Sequence, residues 1–201
     1  MDSRKVGIAF KEIMSGGFAW GETDPAAGAA KGKADILSMH GTVTIDDIDA
    51  FIGDSNHAGV LDVVMDWAPF GMHVPAPGGV FNLFSPTGDP KLKLMVYEWP
   101  AVKDGKRYYF AGHKNVREHS VLDLWKDTTT LYTQLYEGND KTGPVVGAGI
   151  ISLSVEELAK MTANFKPLNA PSPEAGLAAV GRFGKFFMGQ LWDTYITKKA
   201  D

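Results

Sequence analysis

The chain has 201 residues, enough for one sizeable domain, with 44% hydrophobic and 22% charged residues. Its formal net charge is −4, and lysines and arginines are scattered among acids, so neither a nucleic-acid-binding face nor a polybasic membrane anchor is expected. It has no cysteine, which excludes disulfides, thiolate nucleophiles and Cys-based zinc sites.

The N-terminal run MDSRKVGIAF lacks the apolar core of a secretory signal. No stretch of about 18 apolar residues occurs, so no transmembrane helix and a cytoplasmic location are expected. The 23 glycines and 11 prolines fall between short alternating runs, the pattern of strands joined by turns. Residues 6–14 read as the first strand, with Phe10, Glu12 and Met14 on one side. Ser15-Gly16-Gly17 reads as a break, after which residues 18–21 resume the strand, and the Ala/Gly-rich stretch 23–33 reads as a loop. In residues 34–45, Leu37, Met39, Val43 and Ile45 face one way and Ser38, His40, Thr42 and Thr44 the other. Residues 46–52 suggest a helical turn capped by Asp46 or Asp47.

Leu61, Val63, Met65 and Trp67 alternate with Asp62, Val64 and Asp66 in the next strand. Residues 75–79, PAPGG, read as a turn before a strand at 80–84. In residues 91–99, Leu92, Leu94, Val96 and Glu98 share a face. Asp104-Gly105 signals a tight hairpin, because both central positions of such turns need positive φ. The return strand is 107–116. Leu131, Thr133 and Leu135 then alternate with Tyr132, Gln134 and Tyr136, and 145–153 is a last strand after a turn at 138–143.

Helical signals come late. Ser154 and Glu157 form a capping box. Ser172-Pro173 opens a long helix on which Leu177, Val180, Phe183, Phe187, Leu191 and Tyr195 fall at helical spacing. Gly176, Gly181, Gly184 and Gly189 interrupt it and imply close approach to another backbone. The fold expected is mainly β: an antiparallel calycin- or lipocalin-like barrel over about 6–153 and a helical part over about 154–197, in one domain.

Glu12 and Glu98 are the candidate catalytic residues. A carboxylate on an apolar strand face is costly unless paired, and two in one cavity would form an acid/base pair. Pairing with Arg107, Arg117 or Lys114, or a place at the barrel mouth where strands leave the core, is the structural alternative. Candidate ligand contacts are Trp20, His40, Phe84, Tyr97, Phe110, His113, Tyr132 and Tyr136, since small-molecule sites are mostly apolar with a few placed polar groups. His57, His73 and His119 fall in turns, and no histidine spacing suggests a metal. Neither a G-x-S-x-G nucleophile motif nor a phosphate-binding glycine loop occurs, so no cofactor is expected. Asp123, Asp127 and Thr128–Thr130 read as backbone-bonding residues, and Trp125 as a plug for one barrel end.

Five segments carry a resemblance: FKEIM at Phe10–Met14, GVFNLF at Gly79–Phe84, DGKRYYF at Asp104–Phe110, DLWKDTTTLYTQLYEG at Asp123–Gly138 and RFGKFFMGQLWDTY at Arg182–Tyr195. Together they resemble an accessory domain of long, multidomain GMC-type flavin oxidoreductases of the cholesterol-oxidase-like kind. The flavin-binding part of those enzymes has a G-x-G-x-x-G fingerprint that this chain lacks. The resemblance thus implies a free-standing accessory domain without FAD, associated with steroid or fatty-acyl substrates. Three roles stand: a barrel that binds an apolar small molecule, serving an oxidoreductase; a cofactor-free isomerase or cyclase using Glu12 or Glu98; and a module docking a partner or a second copy through the glycine-rich helix.

Overall fold

The computed structural model of the chain describes residues 5–117 and 123–195, the last four by backbone alone. Eight strands form an up-and-down meander: β1 (Gly7–Trp20), β2 (Ile36–Ile45), β3 (Ala58–Trp67), β4 (Gly71–Pro86), β5 (Leu92–Lys103), β6 (Lys106–Arg117), β7 (Thr130–Glu137) and β8 (Val145–Ser152). Each pairs antiparallel with the next, and β1 pairs with both β8 and β2, which closes the barrel. A short β9 (Lys166–Leu168) adds to the start of β1. Closure removes the unpaired edges that an open sheet of these strands would expose. The expected mainly-β barrel with a C-terminal helix is the fold observed.

The strands run between two ends. At one end, α2 (Ile48–Gly53), α4 (Val155–Ala163) and α5 (Pro173–Tyr195) gather around the start of β1. The other end carries the tight β3–β4 and β5–β6 turns and is filled by aromatic side chains. Asp104 (φ 50°) and Gly105 (φ 74°) make the expected hairpin turn. Asp47 caps α2 by accepting from the amides of Asp49 and Ala50, and Ser154 caps α4 through the Glu157 amide. No helix among the described residues is long and apolar enough to cross a membrane.

The structure corrects several local expectations. Residues 15–17 do not break β1. Gly16 and Gly17 let neighbouring backbone come close: a Cβ at Gly16 would lie 2.0 Å from the Ile150 carbonyl oxygen. The stretch read as a loop contains α1 (Pro25–Lys31), with Asp24 accepting from the Ala27 amide and Pro25 in the first turn. This helix lies on β8 through Gly28, whose Cβ would sit 2.0 Å from the Ala148 carbonyl oxygen.

The PAPGG stretch is inside β4, where Pro77 falls at the register shift against β3 between Ala76 and Gly79 and Pro75 stands opposite Val64; the actual turn precedes Gly71. Residues Leu124–Thr129 form a short helix, α3, on which Thr128 and Thr129 donate to the carbonyls of Leu124 and Trp125. Trp125 is 45% exposed and plugs neither end. In α5, Leu177 is exposed, and no other atom approaches within 4 Å of where a Cβ would be on Gly181, Gly184 or Gly189; only Gly176 is crowded, against Pro167. The burying face keeps the expected Val180, Phe183, Phe187 and Leu191 and adds Ala179 and Phe186. His119 and the Tyr195 side chain lie outside the described residues.

Candidate functional site

Alternation along each strand decides which side chains enter the barrel. On β1 the inward set is Ile8, Phe10, Glu12, Met14 and Phe18, ending with Trp20 at the aromatic end. On β5 it is Met95, Tyr97, Trp99 and Ala101; on β6 it is Tyr108, Phe110, Lys114 and Val116. β7 contributes Leu131, Thr133 and Leu135.

Glu12 and Glu98 therefore do not share a cavity. Glu12 points inward; Glu98, one residue out of phase with Tyr97 and Trp99, points outward. Glu98 is nonetheless only 8% exposed, because Tyr109 donates to it at 2.7 Å and Lys141 reaches it from the β7–β8 turn. That cluster fastens the turn to the barrel wall. Burial, then the Glu98 hydrogen bond and charge, raise the Tyr109 phenol well above its ordinary range.

Inside, Glu12, Tyr97 and Lys114 form one connected group. Tyr97 donates to Glu12 Oε2 at 2.8 Å, Lys114 Nζ donates to Oε1 at 2.9 Å, and Lys114 also reaches the Tyr97 hydroxyl at 3.2 Å. Glu12 and Lys114 are 3% and 2% exposed. β1 and β5 stand four strand positions apart in the ring of eight, so the group is a polar strut across the lumen. Burial and the Glu12 charge push the Tyr97 phenol well above its ordinary range, so it stays protonated and keeps donating. Of the cations weighed as partners for the two glutamates, Lys114 is the one used by Glu12.

Two circumferential rows lie beside the strut. Tyr97, Gly112, Thr133 and Gly149 face one another across successive strands, ending at Phe18. Two residues on, the next row is Trp99, Phe110, Leu135 and Gly147. The Phe18 ring covers the side-chain-free wall of Gly147 and Gly149. Trp99 stacks on Phe110 (centroids 4.9 Å, 7° between planes), and Trp67 meets Phe110 edge-on at 6.2 Å. Trp20 and Phe70 stack against Trp67 at the aromatic end.

Among the described residues, three buried side-chain polar atoms have no hydrogen-bond partner: Trp67 Nε1, Trp99 Nε1 and Thr133 Oγ1. Trp67 and Trp99 belong to the strand aromatics that suit an apolar cavity, but their nitrogens and Thr133 carry no signal in the sequence. The strand alternation puts Trp67 on the apolar face of β3, whereas Trp99 lies on the face of β5 opposite the one that reads as apolar in the sequence, and only the assembled barrel shows that their polar atoms have no partner.

The other candidates divide by position. Tyr97 and Phe110 line the interior, and Trp20 sits at its aromatic mouth. Phe84 is buried at the helical end under Phe186 and Phe187, with φ +53°, a left-handed conformation rare for an aromatic residue. His40, His113, Tyr132 and Tyr136 are on the outer wall and line no interior space. His40 and His73 both contact Asp66, at 3.1 and 3.2 Å. No group of three or more His, Asp or Glu side chains among the described residues is arranged to hold a metal ion.

His57, read from sequence as a turn residue, is buried beneath α5. Its Nδ1 donates to the Leu83 carbonyl at 2.7 Å and its ring lies 4.7 Å from that of Phe186. Burial lowers its pKa. No protein family, curated protein or solved structure matches this chain.

Proposed function

We propose that the barrel binds an apolar small molecule of the lipid, steroid or fatty-acyl type and serves an oxidoreductase without itself catalysing a reaction. The observation that carries this reading is the trio of unpartnered polar atoms in an interior that, outside the Glu12–Tyr97–Lys114 group, is apolar and aromatic. An orphaned buried polar group costs about 1–3 kcal/mol, and an apolar side chain, such as valine for Thr133, would avoid that cost. Apolar walls with a few aimed polar groups are the composition of a small-molecule site. The oxidoreductase as client rests on the segments that resemble the flavin-enzyme accessory domain.

Native mass spectrometry of the purified protein, followed by organic extraction, tests the reading. A copurifying apolar compound, or saturable binding from a panel of sterols, ketosteroids and fatty-acyl esters, is the expected result. An empty protein that binds none of them refutes it.

One observation favours a second reading, a cofactor-free isomerase or cyclase: Glu12 is a carboxylate inside the lumen beside a phenol held protonated. Against it, both Glu12 oxygens are already engaged by donors. A Glu12→Gln variant that folds and binds as the parent does, but loses a turnover the parent shows, would establish this second reading.

A further inference from the structure

We infer that the ligand is neutral and presents hydrogen-bond acceptors without donors, as a ketone, ester or ether on an apolar frame does. This rests on the binding role proposed above and narrows it. Two of the three unpartnered atoms are indole nitrogens, which can only donate; the third is a hydroxyl, which can donate. Both indoles lie against Phe110, and Thr133 is on the adjoining row, so the donors belong to one region of the lumen.

The charges of the interior point the same way. Lys114 is already neutralised by Glu12, and Tyr97 spends its proton on the same carboxylate. A fatty-acid carboxylate would have to break that ion pair or lie buried beside Glu12 without a cation, and either is costly. An amine would bring two or three donors, more than the one unengaged hydroxyl oxygen, on Thr133, can satisfy. An alcohol's own hydrogen would find an acceptor only at Thr133 or at the engaged Glu12. A carbonyl or ether oxygen asks for nothing the interior lacks and accepts from what it leaves open.

The test is a matched series on the full chain: a long-chain methyl ketone with the alkane, alcohol and carboxylic acid of equal length. Affinity is read by calorimetry, and the indole N–H resonances of isotope-labelled protein report hydrogen bonding directly. The ketone is expected to bind about tenfold or more tighter than the alkane, the discrimination one recovered hydrogen bond supplies. It should also move the Trp67 or Trp99 indole N–H signal, which the alkane should not. Trp99→Phe and Trp67→Phe should each shrink the ratio of ketone to alkane affinity measured within the same variant; if neither variant folds, the resonances of the unsubstituted protein decide.

Equal binding of ketone and alkane, a preference for the acid, or indole signals unmoved by bound ketone would overturn the inference and leave the binding role standing. Binding of no member of the series, nor of the wider panel, would remove both.

Discussion

Replacing Lys114 with methionine tests the strut most directly. Methionine keeps most of the aliphatic stem, so the packing changes little and the charge is what is lost. Glu12 would then be a carboxylate at 3% exposure whose cation, 2.9 Å away in the parent, has gone. Removing one partner of a buried pair costs about 3–5 kcal/mol. For a chain of this size 1 kcal/mol corresponds to about 2–4 °C, so the melting temperature should fall by roughly 6–20 °C. Adding Glu12→Met removes the stranded charge but leaves the Tyr97 hydroxyl without its acceptor, at about 1–3 kcal/mol. Adding Tyr97→Phe removes that as well. Stability should therefore drop sharply in the single variant and climb back through the double to the triple, since apolar replacement of a whole buried pair is often neutral or stabilising. Urea unfolding followed by tryptophan fluorescence, with an unchanged m-value, is the assay. A single variant that loses less than about 1 kcal/mol, or a triple as unstable as the single, would refute the reasoning.

Tyr97 and Tyr109 both have raised pKa values, so folding favours their neutral forms. The stability they contribute is complete below the unfolded tyrosine pKa, about 10, and is lost as pH rises above it. Tyrosinate absorbance should show these two of the six tyrosines ionising only on alkaline unfolding; all six titrating together in the folded protein would contradict this. His57 has a lowered pKa through burial, so its contribution is present above the ordinary histidine value of 6.5 and is lost as pH falls below it. His57→Asn, which suits φ +46° and can still donate to Leu83, should flatten the decline in stability between about pH 6.5 and 5. An acid limb of the parent's shape in that variant would exclude His57 as its source. Gly181→Ala and Gly184→Ala, in open space on α5, should each stabilise by about 0.5–1 kcal/mol, whereas Gly28→Ala should destabilise despite the same helical gain, because its Cβ would meet the Ala148 carbonyl oxygen. Urea midpoints that move the same way in all three variants would refute the contact argument.

The barrel was legible because strand alternation is a local property. Leu37–Met39–Val43–Ile45 and Leu61–Val63–Met65–Trp67 each show one apolar face in the bare sequence, and both faces point into the lumen. The Asp-Gly hairpin and the Ser154 and Ser172 caps were equally local, each fixed by the few residues of one turn. The misreadings arose where distant chain segments override local preference. The glycines of β1 look like a break until α1 and β8 are seen pressed against that backbone, and α1 itself was announced only by Asp24-Pro25. The α5 glycines look like a packing surface, yet three of them face open space while Phe183, Phe186 and Phe187 do the packing. Leu92, Leu94 and Val96 made the outer face of β5 read as the core, which carried Glu98 into the lumen by the same parity that puts it outside.

That parity error shows where sequence reasoning about the interior stops. Glu12 was recognisable as a carboxylate among Phe10 and Met14, and Lys114 stood among its conceivable partners. Their meeting depends on which strands face each other across the lumen, and this is set by the number of strands and the stagger of their registers together. The partners are 102 residues apart for Lys114 and 85 for Tyr97, so no local pattern ties them. The indole nitrogens of Trp67 and Trp99 are harder still to anticipate. A tryptophan on a strand reads simply as packing, and only the closed barrel shows that neither buried indole nitrogen has a hydrogen-bond partner. The chemistry proposed for this interior thus belongs to the closed barrel and to no single strand, because Glu12, Tyr97 and Lys114 come from β1, β5 and β6 and meet only when β1 closes the ring.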